Sequence, residues 1–317
     1  MQGLEPGFAR IEALAQAARD LAAILATLPD LADLTVTETL RLAPGRAVFR
    51  AERAGVPVIV KQLSGPQRAA QVQAMAEELR KARAILAPTP HHVAGVIATA
   101  PAQGIICTEQ APGRRLDQVL TDLPRDEQLA LLARAADWLA AFSAPRLKPG
   151  TFGAWYWVKQ AAAVELAGLD PEGRALAGAL QARLRRMAPD LTGRPVLRAA
   201  THGDFVDSNL NWHAGALWAF DLGGAQWLPV AQAVAHFLLW RTMAEPLPAA
   251  RRYGLPADLF TAFLGRGVLP VDQLPILRFL LGVAMLRRLP QAGRRPDRPD
   301  RAARLRAAIR GWLDASA

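Results

Sequence analysis

His202-Gly203-Asp204-Phe205-Val206-Asp207-Ser208-Asn209, followed shortly by Phe220-Asp221-Leu222-Gly223, decides how this 317-residue chain is read. Phosphoryl transfer from a nucleoside triphosphate needs a carboxylate near the acceptor hydroxyl and two oxygen ligands for the magnesium ions that neutralise the phosphates. Asp204, Asn209 and Asp221 supply those groups in that order. The six residues from Asp204 to Asn209 are enough to turn back on themselves, so that base and metal ligand face one cavity. Leu210 to Trp212 and Ala216 to Phe220 read as short strands about a turn at His213, Ala214 and Gly215, which returns Asp221 towards Asn209. Oxygen donors without sulfur or imidazole suit magnesium and not zinc. Aspartate and asparagine are ordinary turn residues, so the argument rests on the joint pattern. His202 reads as a brace for the loop.

A cation that contacts phosphate should come from elsewhere in the chain, held by a helix carboxylate. Lysine occurs only at positions 61, 81, 148 and 159, and Lys61 follows the apolar run Val56-Pro57-Val58-Ile59-Val60. A compact ammonium fits beside a phosphate where a planar guanidinium does not. Glu77 and Glu78 both lie on the next predicted helix, and Glu78 is preferred because Ala82, Ile85 and Leu86 continue its face. Thr108-Glu109-Gln110-Ala111-Pro112-Gly113 is a lobe connection whose backbone, at Glu109 and Ala111, would meet an adenine edge. The turn Leu42 to Phe49 holds one glycine and offers few free amides for phosphate.

Alternation over Leu34 to Leu42 and Arg46 to Arg53, with the β-branched run Val56 to Leu63, predicts three antiparallel strands turning at Pro44-Gly45 and Ala54-Gly55. A helix over Arg68 to Leu86 and strands at His92 to Thr99 and Gly104 to Glu109 complete a small sheet lobe. Helical periodicity then dominates: Arg125 to Phe142, Trp155 to Leu166, Pro171 to Met187, and Val230 to Met243, with Ala144 to Gly153 a surface loop. The expected fold class is α+β, with a nucleotide-binding lobe at 1–109, led by an amphipathic helix (Phe8, Ile11, Leu14, Ala18, Leu21, Leu25), and a catalytic, mainly helical lobe at 110–317. A nucleotide would lie in the crevice between such lobes.

The composition, 51% hydrophobic with a net charge of +10, supports a large core. No apolar run approaches a membrane span. One cysteine, Cys107, excludes an internal disulfide and thiolate clusters, and points to a reducing compartment, the cytoplasm by default. After Asp221 there are fourteen arginines and six acidic residues. The densest part, Arg287 to Arg310, reads as a proline-interrupted loop followed by a solvated helix face over Ala303, Leu305, Ala308, Ile309 and Trp312. It lacks the interleaved aromatics that stack single-stranded bases, so no nucleic-acid partner is expected.

Val60-Lys61, the Glu77/Glu78 helix, Ala111-Pro112-Gly113-Arg114-Arg115-Leu116, His202-Gly203-Asp204 with Asn209, and Phe220-Asp221-Leu222-Gly223 together resemble the aminoglycoside phosphotransferase and choline kinase-like group. This is the small-molecule branch of the protein-kinase-like fold. The resemblance implies ATP and Mg2+ as cofactors, Asp204 as catalytic base, Asn209 and Asp221 as metal ligands, Lys61 on the α and β phosphates, and Glu78 as partner of Lys61. His-Gly-Asp in place of His-Arg-Asp, and the lack of an Ala-Pro-Glu segment, favour the small-molecule branch. Two positions depart from the group: Gln232 stands where a loop-bracing Asp is usual, and Ala141-Phe142 where Leu-His is common.

The expected activity is ATP-dependent phosphorylation of a small-molecule hydroxyl. The surplus of positive charge makes a neutral or anionic acceptor a better match than a polycationic aminoglycoside, and Trp155, Tyr156 and Trp157 are candidates to line its pocket. A rival reading, a nucleotide-binding regulatory protein that has lost catalysis, draws on Gln232 and the glycine-poor turn. The intact Lys61, Asp204, Asn209 and Asp221 argue against it.

Overall fold

The computed structural model describes residues 5–293 and 299–315. The side chain of Phe8 and the proline-rich segment 294–298, both used above, lie outside the described residues. The chain divides into two compact units. One runs to Gly113 and adds His213–Ala225; the other comprises Arg114–Trp212 and Gln226 onward. The carboxylate of Asp221 thus belongs to the first unit, and Asp204 and Asn209 to the second.

The first unit is built on α1 (Glu5–Leu25), β1 (Leu34–Ala43), β2 (Arg46–Arg53), β3 (Val56–Leu63), α2 (Arg68–Leu86), β4 (His92–Val93), β5 (Val96–Ala100) and β6 (Ile105–Glu109). Five strands form an antiparallel sheet in the order β1-β2-β3-β6-β5. Alternation drives it: Phe49, Ala51, Val58 and Val60 point into one core with Leu21 and Leu25 of α1, Ile105 and Cys107. Burial pushes the Cys107 thiol up to about 11, so it behaves as an apolar core residue. Lys61 follows Val60 and therefore projects from the opposite face.

The continuous strand expected over His92 to Thr99 is broken at Ala94-Gly95. Gly95 N donates to Glu109 Oε2 at 2.9 Å, and a Cβ at Gly95 would overlap the Arg83 guanidinium, which itself donates to Glu109 Oε1 at 2.7 Å. Gly95 O still accepts from Glu109 N at 2.8 Å, but His92–Val93 pairs in parallel with Trp218 and Ala219 in a separate sheet, so the two halves belong to different sheets.

The second unit holds α3 (Leu116–Thr121), α4 (Arg125–Ser143), α5 (Ala154–Ala162), α6 (Pro171–Leu191), α7 (Val230–Ala244), α8 (Ala257–Leu264), α9 (Leu274–Gly293) and α10 (Pro299–Asp314). The fold class expected from the sequence, α+β, is the one found. Several details differ. The expected loop Ala144 to Gly153 contains a strand, Lys148–Thr151, paired antiparallel with Pro195–Thr201, which in turn pairs with Gln226–Pro229. Lys148–Thr151 lies at the sheet edge, where Pro149 removes no needed donor. Helix α5 stops at Ala162 and not Leu166, because Val164 N closes a tighter turn onto Ala161 O. Helix α6 passes Met187 to Leu191, since Pro189 falls in its last turn and forfeits only one amide there.

The arginine-rich end overturns two expectations: Arg287 to Gly293 continue helix α9 and are not a loop, and the face expected to be solvated is buried, with Leu305, Ala308, Ile309 and Trp312 inaccessible to solvent and Ala303 exposed. Its basic residues have partners within the unit, Arg306 on Asp170 and Glu172 and Arg310 on Glu172. Among the described residues no helix is long and apolar enough to cross a membrane.

Candidate active site

In the first unit, Lys61 is buried and donates from Nζ to Asp221 Oδ1 at 2.7 Å. Strand register places it: Lys61 lies between Val48 of β2 and Ile106 of β6. Arg46, just past the β1–β2 turn, approaches the same Asp221 oxygen at 3.4 Å, a cation that sequence patterning did not single out. Asp221 adopts a left-handed backbone, φ 61°. That conformation is uncommon outside glycine, and such outliers concentrate at functional sites. On α2, Glu77 is exposed and accepts from Lys81 at 2.6 Å, whereas Glu78 is buried. Ala111 is buried, and Glu109 is held by Arg83 and Gly95 as described.

In the second unit, the Asp204 carboxylate is contacted from two sides. His236 Nε2 lies 2.9 Å from Oδ1, and Asn209 Nδ2 donates to Oδ2 at 3.1 Å and to the Asp204 carbonyl at 2.9 Å. The hydrogen bond from His236 is the main influence, with Asn209 adding to it, and together they hold the Asp204 carboxyl down to about 2. Arg288 also approaches His236 Nε2, at 3.4 Å. The shorter contact with a carboxylate places a proton on Nε2, donated to Asp204. His202 is buried and packs edge-on against Trp138 and Phe205.

The loop is anchored a second time. Asp207 is buried and its Oδ2 accepts from Arg241 of α7 at 3.3 Å; Arg241 also donates to Glu245 at 3.0 Å, and Glu245 accepts from Arg125, which pairs with Asp258. Burial pushes the Asp207 carboxyl up, against the opposing pull of Arg241. The bracing that the Gln232 departure called into question is thus present as an ion-pair chain from another part of α7. Gln232 instead lines a cavity of about 250 Å3, together with Gly203, Phe205, His236, Arg287 and Arg288. Trp157 also contributes to that wall, while Trp155 and Tyr156 are exposed. Neither Arg241 nor His236 belongs to a motif. The available signal was a set of polar residues, Gln232, His236 and Arg241, in an otherwise apolar helix.

The magnesium expected from the sequence can be judged against these donors. Because Asn209 Nδ2 is engaged by Asp204, the amide oxygen is the end left for a hard cation. Among the described residues no three His, Cys, Asp or Glu side chains cluster as a metal site. Magnesium is usually held by one or two protein oxygens plus nucleotide phosphates; in the second unit the Asn209 amide oxygen is a donor of that kind, and in the first unit the Asp221 carboxylate is another, with Oδ1 already facing Lys61 and Arg46.

Residues 35–264 match the model of a family described as the phosphotransferase enzyme family. Among solved structures the chain is similar to a choline/ethanolamine kinase family protein from Mesorhizobium loti, at 16% identity and TM-score 0.57 over 94% of this chain and 95% of that one. It is also similar to choline kinase LicA from Streptococcus pneumoniae, at 14% identity and TM-score 0.56 over 95% and 100% of the two chains. A third likeness is to a thermostable mutant of aminoglycoside phosphotransferase APH(4)-Ia in ternary complex with ADP and hygromycin B, at 15% identity and TM-score 0.59 over 95% and 99%. At such identities the likeness is one of fold. No curated protein matches the sequence.

Proposed function

We infer that this chain, which belongs to the phosphotransferase enzyme family, transfers the γ-phosphoryl group of ATP to a hydroxyl of a small molecule. The observation that carries the reading is the Asp204 carboxylate, held by His236 and Asn209, with its chain neighbours Gly203 and Phe205 and its partner His236 lining a cavity. In the step, the acceptor oxygen forms a bond to the γ-phosphorus as the bond from phosphorus to the ADP oxygen breaks. Asp204 Oδ orients the hydroxyl and receives its proton, which then passes to water. Magnesium would neutralise charge on the phosphates, and Asn209 and Asp221 are the residues that would hold it. Lys61, with Arg46 near it, would contact the phosphates. The burial of Glu78, against the exposed and engaged Glu77, supports Glu78 as the carboxylate that steadies Lys61. The backbone at Glu109 and Ala111 would meet the adenine. ADP bound to one similar structure agrees with a nucleotide donor.

The test is ADP release by the wild type and by Asp204→Ala across a panel of hydroxyl compounds. We expect a loss of at least about 100-fold in kcat, with ATP binding retained within threefold. Equal ADP release by both proteins would sink the assignment of Asp204, and ATP binding without turnover of any compound would favour the regulatory reading.

A further inference from the structure

The cavity beside Asp204 has a definite electrical character. Its wall includes Gly203 and Phe205, the chain neighbours of Asp204, and His236, which holds the Asp204 carboxylate. Two adjacent arginines of α9, Arg287 and Arg288, complete the polar side, and among the described residues no Asp or Glu lines the cavity. Gln232 contributes a neutral amide whose Oε1 is buried without a hydrogen-bond partner, an acceptor ready for a hydroxyl. Trp157 and Leu280 supply apolar wall.

We propose that this cavity selects an acceptor alcohol that carries an oxyanion, a carboxylate or a phosphate, held by Arg287 and Arg288 while its hydroxyl faces Asp204. The two arginines have different parts. Arg288 is fixed: it donates to Gln291 Oε1 at 3.1 Å and its guanidinium lies over Trp240 at 4.9 Å. Burial costs this cation hydration and lowers its pKa from the ordinary value, a loss that a bound oxyanion offsets. Arg287 is exposed and, among the described residues, makes no ion pair or side-chain hydrogen bond, unlike Arg306 and Arg310 of α10. Two guanidinium forks on one wall match the paired oxygens of a carboxylate or phosphate. At about 250 Å3 the cavity falls below the range of roughly 300–1,000 Å3 for drug-sized ligands, so the acceptor is small. A polycation would meet only positive or neutral side chains along this wall.

The proposal rests on the phosphotransferase reading for the role of Asp204, and the experiment separates the two. Calorimetry and ADP release are measured with the full chain on matched compounds: glycerate against glycerol, gluconate against glucose, and glycerol phosphate as the phosphate arm. At least one anionic compound should bind and react at least tenfold better than its neutral partner. R287Q should weaken that compound at least tenfold while changing the neutral partner less than threefold, and R287E should weaken it further. Neutral compounds turned over as well as the anionic ones, equal weakening of both by R287Q, or no binding of any anionic compound each overturns the anion assignment. Turnover of neutral alcohols alone would leave the phosphotransferase reading intact. Binding of an acid without ADP release would support the anion site and sink the phosphotransferase reading instead.

Discussion

Asp204 titrates below an ordinary carboxyl because of the two side chains that touch it. Its folded pKa, about 2, is below the ordinary carboxylate value of about 3.9. The sign follows: the interaction stabilises the fold fully above about pH 4 and is lost as pH falls towards 2. His236 is the main cause, so His236→Ala should raise the Asp204 value towards the ordinary one. Carboxyl NMR titration checks this, and a wild-type Asp204 that titrates near 4 would refute it. Lys61 gives the second prediction at this scale. Its ammonium sits against Asp221 in a largely buried setting, so Lys61→Met should raise the KM for ATP at least tenfold while leaving the acceptor KM within threefold. Equal losses for both substrates would remove Lys61 from the nucleotide side.

At the scale of elements, α7 ties the loop that carries Asp204 to the helical unit. Arg241 and Asp207 are both almost fully buried, and each depends on the other for compensation. Removing one partner leaves a buried charge alone, at a cost of about 3–5 kcal/mol. Arg241→Met should therefore lower the urea midpoint strongly, and adding Asp207→Asn should recover part of the loss; additive losses would show that the pair is not coupled. Here the sequence was only partly legible. Asp204, Asn209 and Asp221 stood out because their spacing is peculiar to one chemistry, and Lys61 because lysine is rare in this chain. Arg46, His236, Arg241 and Arg288 carry no such signature. Each is a single polar residue whose meaning depends on which distant element it meets, and periodicity within a helix does not report that. The strand Lys148–Thr151 was hidden for a related reason: its Pro149 and Gly150 are loop residues by local preference, and only the neighbouring strand makes them part of a sheet.

Packing between helices of the second unit gives a further prediction at that scale. Gly282 of α9 faces Trp312 of α10, and a Cβ there would come within 2.6 Å of the indole ring. Trp312 is fully buried, with Nε1 donating to Arg278 O at 2.9 Å, so the ring is held on both sides. Gly282→Ala should cost about 1–3 kcal/mol by overpacking, read as a lower urea midpoint with an unchanged slope. A midpoint equal to that of the wild type would mean that α10 shifts freely.

For the molecule as a whole, charge bears on which acceptor the proposed site would take. The +10 net charge and the arginine surplus after Asp221 set a positive field around the second unit, and its acidic residues Asp170, Glu172, Glu245 and Asp258 are already paired with arginines. A polycationic aminoglycoside would be repelled at long range, and no Asp or Glu is among the described residues that line the cavity. Kanamycin should accordingly be a poor acceptor, and efficient phosphorylation at micromolar antibiotic would refute this. The same field predicts an ionic-strength dependence of the opposite sense for an acid. At 0.1 M salt the Debye length is about 10 Å, so steering of an anionic acceptor is strong below that concentration and screened above it. Its kcat/KM should fall as salt rises from 20 to 300 mM, as an order-of-magnitude range about that screening length, while that of a matched neutral alcohol stays flat. Parallel curves for the two compounds would mean that the field plays no part in acceptor choice.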